Sequence, residues 1–377
     1  MATNLLSTPP PLAPPKTSGA LASWLRLIRS HRVGVATFFR LMREHGNAEA
    51  ALAILPQIAS AAGVPKYTPF SYDAAMQEID AGTQIGAKLV AYGNPDYPRA
   101  LMEIEDPPPL LWALGDTSLL SRPILSVVGA RNASSLGTRM AKSLSTDLAQ
   151  AGFVIASGLA RGIDTAAHLA TLESGTIAVQ AGGVDTVYPS ENTQLHDDIA
   201  EQGLRISEQP IGLSPQSRHF PRRNRIISGI ARAVILVEAA AKSGSLITAR
   251  DALDQGRDVL VVPGHPFDKR ASGCNMLIRD GATLIRSARD VIEATASPEA
   301  RQAVEPPPNA ETTAPHDPLD AHEQILDLLG PTPIAEDQLI RDTGLPAQSV
   351  ISSLLALEMH GQITRAPGGL LSRTPQG

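Results

Sequence analysis

Six short apolar runs recur through the middle of this chain: ILSVV (124–128), FVIAS (153–157), TIAVQ (176–180), RISE (205–208), VILVE (234–238) and VLVV (259–262). Most are separated by helical stretches of 10 or more residues. Val- and Ile-rich runs of this length suit strands buried on both faces, and long crossovers suit parallel pairing. The expected fold is therefore α/β, with a doubly wound, mostly parallel sheet. Such sheets bind ligands outside the carboxyl ends of their strands, so the loops after the runs are the places to read.

The segments on either side divide readily. Residues 1–19 are rich in Pro, Ser and Thr and are expected to be disordered. Residues 20–91 read as a small helical domain, in which Val33, Gly34, Val35, Phe38, Leu41 and Gly46 suggest a hairpin of two helices. The sheet domain is placed at 92–295, its first part, 92–123, a proline-punctuated connector. Residues 296–319 have linker composition, and 320–377 read as helix, helix, turn, helix and a hairpin whose Gly368 and Gly369 suit a wing. In that last segment the expected recognition helix contains no Lys or Arg, which favours a protein contact over a DNA groove.

Several chemistries are unsupported. Cys274 is the single cysteine, so an internal disulfide is impossible and no Cys/His spacing suggests zinc. The N-terminus lacks the apolar run of a secretory signal and no window is long enough to span a bilayer, which together with the lone cysteine points to the cytoplasm. The first loop, GARNASSLG at 129–137, does not have GxGxxG spacing, no acidic residue closes the second strand, and no GxxxxGK[ST] occurs. Neither a dinucleotide cofactor nor a P-loop nucleotide is expected, and no other cofactor is implied.

What the loops do offer is anion binding. The second run leads into Ser157, Gly158, Leu159, Ala160, Arg161 and Gly162, then a helix at Asp164 and Thr165; the fifth passes Lys242, Ser243 and Gly244 into another helix. Glycines admit close backbone approach, helix N-termini supply N–H donors and the cations fix an anion. Formal charge agrees: residues 122–293 hold 19 Lys+Arg against 17 Asp+Glu, a balance of +2, while the whole chain carries -6.

The densest cationic stretch is RHFPRRNR at 218–225, with Arg218, Arg222, Arg223 and Arg225 around Phe220 and Asn224. It contains no Lys, Asp or Glu, unlike an ordinary solvated charge run. Arginine suits bidentate phosphate contacts, and a ring beside it offers a face for an unpaired base, so single-stranded nucleic acid fits better than duplex. Lys269 and Arg270 join the expected site on charge alone.

With these motifs in order, SVVGARNASSLG, GFVIASGLARGIDTAAH, GGVDTVYPSEN, ISEQP, HFPRRNRIISG, VILVEAAAKSGSLITARDALDQGRDVLVVPG and GCNMLIRDGA, the chain resembles the DprA/Smf family of DNA-processing proteins across about 92–295. The resemblance implies a Rossmann-like homodimer that binds and protects single-stranded DNA in natural transformation and loads the RecA recombinase onto it, with a helical domain before and a winged helix after. Carried over by motif, its DNA site takes in Arg131, the 157–162 loop, Phe220, the arginines of FPRRNR, Ser243 and Gly244. Replacing Arg131 or Arg225 by alanine is then expected to weaken binding without unfolding the protein. Leu136 departs from the family's usual aromatic, Gln180 interrupts the third strand and His265 follows PG.

The competing class is a nucleotide phosphoribohydrolase. It needs a PGGxGTxxE element, whereas AAKSGSLITARDAL has no glutamate on that helical turn. Asp164 is expected to cap its helix and Glu238 to accept loop hydrogen bonds. His168 shares a face with Asp164, but no nucleophile or metal completes a mechanism. No catalytic residue is assigned.

Overall fold

The computed structural model describes residues 12–296, 318–329, 334–343, 345, 347–366 and 370–374. These fall into two compact units, one within 1–303 and one within 304–377.

The first unit begins with four helices, α1 (Ser18–Arg29), α2 (Val35–His45), α3 (Ala48–Ala61) and α4 (Tyr72–Gln84). Thr17, Asn47 and Ser71 each accept a backbone N–H of the following turn, fixing where α1, α3 and α4 start. Then come β1 (Lys88–Ala91), α5 (Arg99–Met102), β2 (Leu110–Gly115), β3 (Ile124–Gly129), α6 (Ser135–Gln150), β4 (Val154–Ser157), α7 (Ile163–Thr171), β5 (Thr176–Val179), α8 (Thr193–Gln202), β6 (Leu204–Ser207), α9 (His219–Gly229), β7 (Ala233–Val237), α10 (Ser245–Asp254), β8 (Asp258–Val261), α11 (Ser272–Arg279), β9 (Thr283–Leu284) and α12 (Ala288–Thr295).

Among the described residues the sheet runs in the order β1-β2-β6-β5-β4-β3-β7-β8-β9. From β6 to β9 every pairing is parallel. The chain winds outward from β3 to β6, returns to β7 beside β3 and winds the other way, so the β3/β7 boundary is the topological switch point. Strand alternation builds both cores. Ile124, Val128, Val234 and Leu236 pack under α9 and α10, while Leu125, Val127, Ile235 and Val237 pack under α6, α7 and α12.

The six apolar runs all become strands. Two expectations are corrected: β1, at the end of the segment read as helical, and β2, inside the expected connector, extend the sheet, pairing antiparallel with each other and, through β2, with β6. The helical segment is also joined to this sheet. Arg29 pairs with Glu78 at 2.9 Å, Glu78 accepts the Trp112 indole N–H at 3.0 Å, and Arg29 donates to the Glu208 carbonyl at 3.1 Å. The hairpin residues Phe38 and Leu41 are fully buried and Val33 nearly so, which is ordinary helix packing.

The second unit comprises α13 (Pro318–Leu328), β10 (Ile334–Ala335), α14 (Glu336–Thr343), α15 (Ala347–Met359), β11 (Ile363–Ala366) and β12 (Leu370–Arg373), with sheet order β10-β12-β11. Ile325, Leu339, Val350, Leu354, Leu357, Ile363 and Leu371 form its core. The expected wing glycines, Gly368 and Gly369, and the N-terminal stretch 1–11 lie outside the described residues. No helix of the described residues is long and apolar enough to cross a membrane.

Glu78→Ala removes the shared acceptor of Arg29 and Trp112, both largely buried. It is expected to lower unfolding free energy by about 3 kcal/mol, read from urea denaturation.

Candidate nucleic-acid interface

The loops leaving β3, β4, β5 and β7 meet at one rim. Arg131, Gly158, Arg161, Gly182, Tyr188, Phe220 and Arg223 line a cavity of about 330 Å³. Arg131, Asn132, Phe220, Asn224, Lys242, Ser243, Gly244 and Arg270 line an adjoining groove of about 740 Å³. Two rings stand at their junction: Tyr188, 47% exposed, and Phe220, with centroids 5.3 Å apart. The Arg131 guanidinium carbon lies 5.3 Å from the centre of the Phe220 ring.

Helical phase decides what RHFPRRNR does. Phe220, Arg223, Asn224 and Ile227 are three, four and seven residues apart and share the face toward the groove. Arg218, Arg222 and Arg225 share another and line a separate cleft of about 590 Å³ with Val35, Thr37, Asp106 and Glu208. Four arginines adjacent in sequence thus serve two surfaces.

Two of them belong to the fold, which corrects the expectation that the whole cluster holds phosphate. Arg225 bridges Asp106 at 3.1 Å and Glu208 at 2.5 Å with its side chain 12% exposed. Arg223 is buried, and one Nη1 donates to the carbonyls of Gly158, at 2.7 Å, and Val179. Burial pushes the Arg223 pKa down to about 10, opposed by the Asp164 carboxylate. Arg218 and Arg222 remain exposed, on the cleft rather than in the groove.

The SGLARG loop is likewise held from inside. Ser157 leaves the expected site: it is fully buried and its hydroxyl donates to the Val127 carbonyl at 2.6 Å. Asp164 does not cap α7, whose N-cap is Gly162; its carboxylate accepts the amides of Gly158 at 3.1 Å and Ala160 at 3.3 Å. His168 Nε2 accepts the Leu159 amide at 3.3 Å. Its Nδ1 therefore carries the proton and donates to Thr176, which donates to the Ile155 carbonyl. Desolvation, with Arg223 nearby, lowers the His168 pKa to about 3, so the ring stays neutral. Asn192 donates to the Leu159 carbonyl at 3.0 Å. Gly162 adopts φ +80°, and a Cβ there would lie 2.3 Å from the Ala130 carbonyl, so only glycine lets this loop rest on the GAR turn. Of the loop amides expected to meet an anion, those of Gly158, Leu159 and Ala160 are occupied.

Arg131, Arg161, Lys242 and Lys269 are exposed and Arg270 is partly so. Arg131 and Lys242 face the groove with no ion pair among the described residues. Arg161 makes a long pair with Glu191 at 3.4 Å, both exposed, a contact worth little. Arg270 is held by Asp268 at 3.1 Å and still lines the groove, whereas Lys269 is exposed outside it. Asn224 donates to the Gly244 carbonyl at 3.5 Å, and the Ser243 and Ser245 hydroxyls lie 2.6 Å apart. Glu238 accepts the Ser134 amide at 2.8 Å and the Ser134 hydroxyl, in line with its expected role. Among the described residues no group of His, Cys, Asp and Glu could hold a metal ion. Of the departures, Leu136 is 66% exposed, while Gln180 is buried beside the cavity without interrupting the sheet.

Sequence reasoning missed Tyr188. The available signal was its place in GGVDTVYPSEN, just beyond the third run and its glycines. Among the described residues the site brings together an aromatic pair and cations without ion pairs at one rim.

Comparison with known proteins follows the same lines. The family model for DNA recombination-mediator protein A matches residues 88–296, that for the DprA-like N-terminal HHH domain 20–81, and that for the DprA winged helix domain 305–369. Protein Smf from Synechocystis sp. is 36% identical over 332 residues, covering 78% of this chain and 81% of that protein. DNA processing protein DprA from Bacillus subtilis is 45% identical over 211 residues, 55% of this chain and 71% of that one. The X-ray structure of DNA processing protein A from Streptococcus pneumoniae superposes with a TM-score of 0.56 at 38% identity, covering 65% of this chain and 81% of that chain. A structure concerning the single-stranded DNA binding mode of DNA processing protein A from Helicobacter pylori gives 0.51 at 31% identity, covering 55% and 95%.

Two outcomes follow from the buried groups. Arg225→Ala strands Asp106 and Glu208 and is expected to cost about 3 kcal/mol or more of stability by chemical denaturation, contrary to the expectation of an intact fold. The unfolded chain binds a proton at His168 below pH 6.5 that the folded chain refuses down to about pH 3, so this residue's contribution falls as pH drops through that window. Between about pH 7.5 and 5 the parent protein should lose about 2 kcal/mol more stability than His168→Gln; parallel curves would contradict the assignment.

Proposed function

The chain belongs to the DNA recombination-mediator protein A family, and from that premise we propose that it binds single-stranded DNA along the groove at the carboxyl ends of β3, β4, β5 and β7. The observation that carries this reading is the Tyr188/Phe220 pair with Arg131 over one ring. Unpaired bases present faces to such rings, whereas stacked duplex pairs do not. Arg131, Arg161 and Lys242 supply the charge for phosphates, and the exposed Gly244 backbone permits close approach. The single-stranded DNA binding named for the Helicobacter pylori relative agrees with this chemistry.

Within the family's role, the protein protects incoming single strands in natural transformation and loads RecA, acting in the cytoplasm as a homodimer; these finer steps rest on the family resemblance. We read it as a binding protein rather than an enzyme. What supports this is that both rim carboxylates, Asp164 and Glu238, are engaged by loop donors. For the winged-helix unit we propose a protein contact, because α15 carries no Lys or Arg and exposes Ile351, Leu355 and Met359 on one stripe.

Fluorescence anisotropy with a labelled oligothymidylate tests the reading. Three or four neutralised phosphates should cost about 20- to 50-fold in affinity between about 50 and 200 mM salt. Arg131→Ala and Phe220→Ala should each weaken binding at unchanged stability, and a duplex of equal length should bind less well. Binding unmoved by salt and by both substitutions would remove the groove from consideration.

A further inference from the structure

The loop between β8 and α11 offers more than the cations its sequence advertises. Phe267 is 92% exposed, more than any other large apolar side chain among the described residues. Leaving such a ring in water forgoes the gain of burying it. A loose loop would let it fold back, yet this loop is tightly hydrogen bonded. The Gly264 amide donates to Asn275 Oδ1 at 3.2 Å and Asn275 Nδ2 donates to the Gly264 carbonyl at 2.9 Å. The Phe267 amide donates to His265 Nδ1 at 3.3 Å, and the Asp268 amide donates to the His265 carbonyl at 2.9 Å. Asp268 accepts from the Arg270 amide at 2.9 Å and from both ends of its guanidinium at 3.1 Å. Ser272 Oγ closes on the Lys269 carbonyl at 2.7 Å. The backbone that carries this ring is held in place, and the one ring packed near it among the described residues is His265, tilted 35° with its centroid 5.6 Å away.

Its neighbours indicate the occupant. Lys269 and Arg270 follow two and three residues later, and Arg270 lines the same groove as Arg131, Phe220 and Lys242. The loop thus carries an exposed ring three residues before an arginine that Asp268 holds at the groove. A single ring next to a histidine, in a loop that also carries Lys269, Arg270 and the Asp268 that holds Arg270, suits a base and its phosphate better than an apolar protein patch.

We propose that Phe267 is a second stacking platform, which takes an unpaired base of the same strand that crosses Phe220, with Arg270 and Lys269 on the phosphates between. This rests on the single-strand reading above. The strand then traverses the switch point from the loop after β5 to the loop after β8, which sets a longer binding footprint than the Phe220 cavity alone.

The test pairs affinity with a direct optical signal. Anisotropy of labelled dT20 is measured with the parent protein, Phe220→Ala and Phe267→Ala, and tryptophan emission is followed as dT20 is added to Phe267→Trp. The two native tryptophans, Trp24 and Trp112, are buried and contribute a constant background. Phe267→Ala should bind about 5- to 150-fold more weakly, the range for losing one stacked base, and Phe267→Trp should retain affinity while its emission is quenched. An affinity within twofold of the parent, or an unquenched tryptophan, overturns the platform. If Phe220→Ala weakens binding and Phe267→Ala does not, only this inference falls; if the parent protein does not bind dT20, the single-strand reading falls and takes it along.

Discussion

The site depends on one buried cation. Arg223 reaches from α9 beneath the rim and donates to carbonyls at the ends of β4 and β5. A guanidinium in the interior needs acceptors, and Nη1 of Arg223 finds two in backbone carbonyls of the loops at the proposed binding surface, while its Nε stays without a hydrogen-bond partner among the described residues. The clamp therefore fixes three elements at once: α9, the SGLARG loop and the start of the GGVD loop. Phe220 sits three residues earlier on the same helical face, so its position at the rim follows from where Arg223 is anchored.

Around that clamp the loops are organised by buried polar groups. Asp164, His168 and Asn192 hold the backbone of residues 158–160 from within. On the opposite face of α9, Arg225 joins Asp106 and Glu208, and the Glu208 carbonyl accepts Arg29 of α1. The helical segment and the sheet are thus linked through the same helix that presents Phe220. Interior ion pairs of this kind add little net stability when intact and cost much when half removed, which makes them positioning devices more than sources of strength.

The fold was legible where buried parallel strands write continuous apolar runs; every one of the six became a strand. β1 and β2 were not, because LVA is short and β2 follows PPP, so proline punctuation outweighed the apolar stretch LLWAL. The site was legible in part. Arg131, Phe220, Lys242 and Gly244 lie where their loops suggested. Ser157, Arg223 and Arg225 turned inward, because charge and hydroxyl content say nothing about helical phase or about which carbonyls and carboxylates wait inside. Tyr188 escaped notice because the third loop was read for its glycines, while its ring meets Phe220 only after α9 folds back across the rim.

The central claim is that the arginine-rich helix presents Phe220 to a single strand at the groove while Arg223 and Arg225 anchor it to the fold. Ultraviolet crosslinking of the full-length protein to oligothymidylate, with the adducts mapped by peptide mass spectrometry, reads this directly. Adducts on the peptides carrying Tyr188 and Phe220 are the predicted result. Adducts confined to the peptides around Val35 and Thr37, opposite Arg218 and Arg222, would place the strand on the wrong side of the helix and contradict the account.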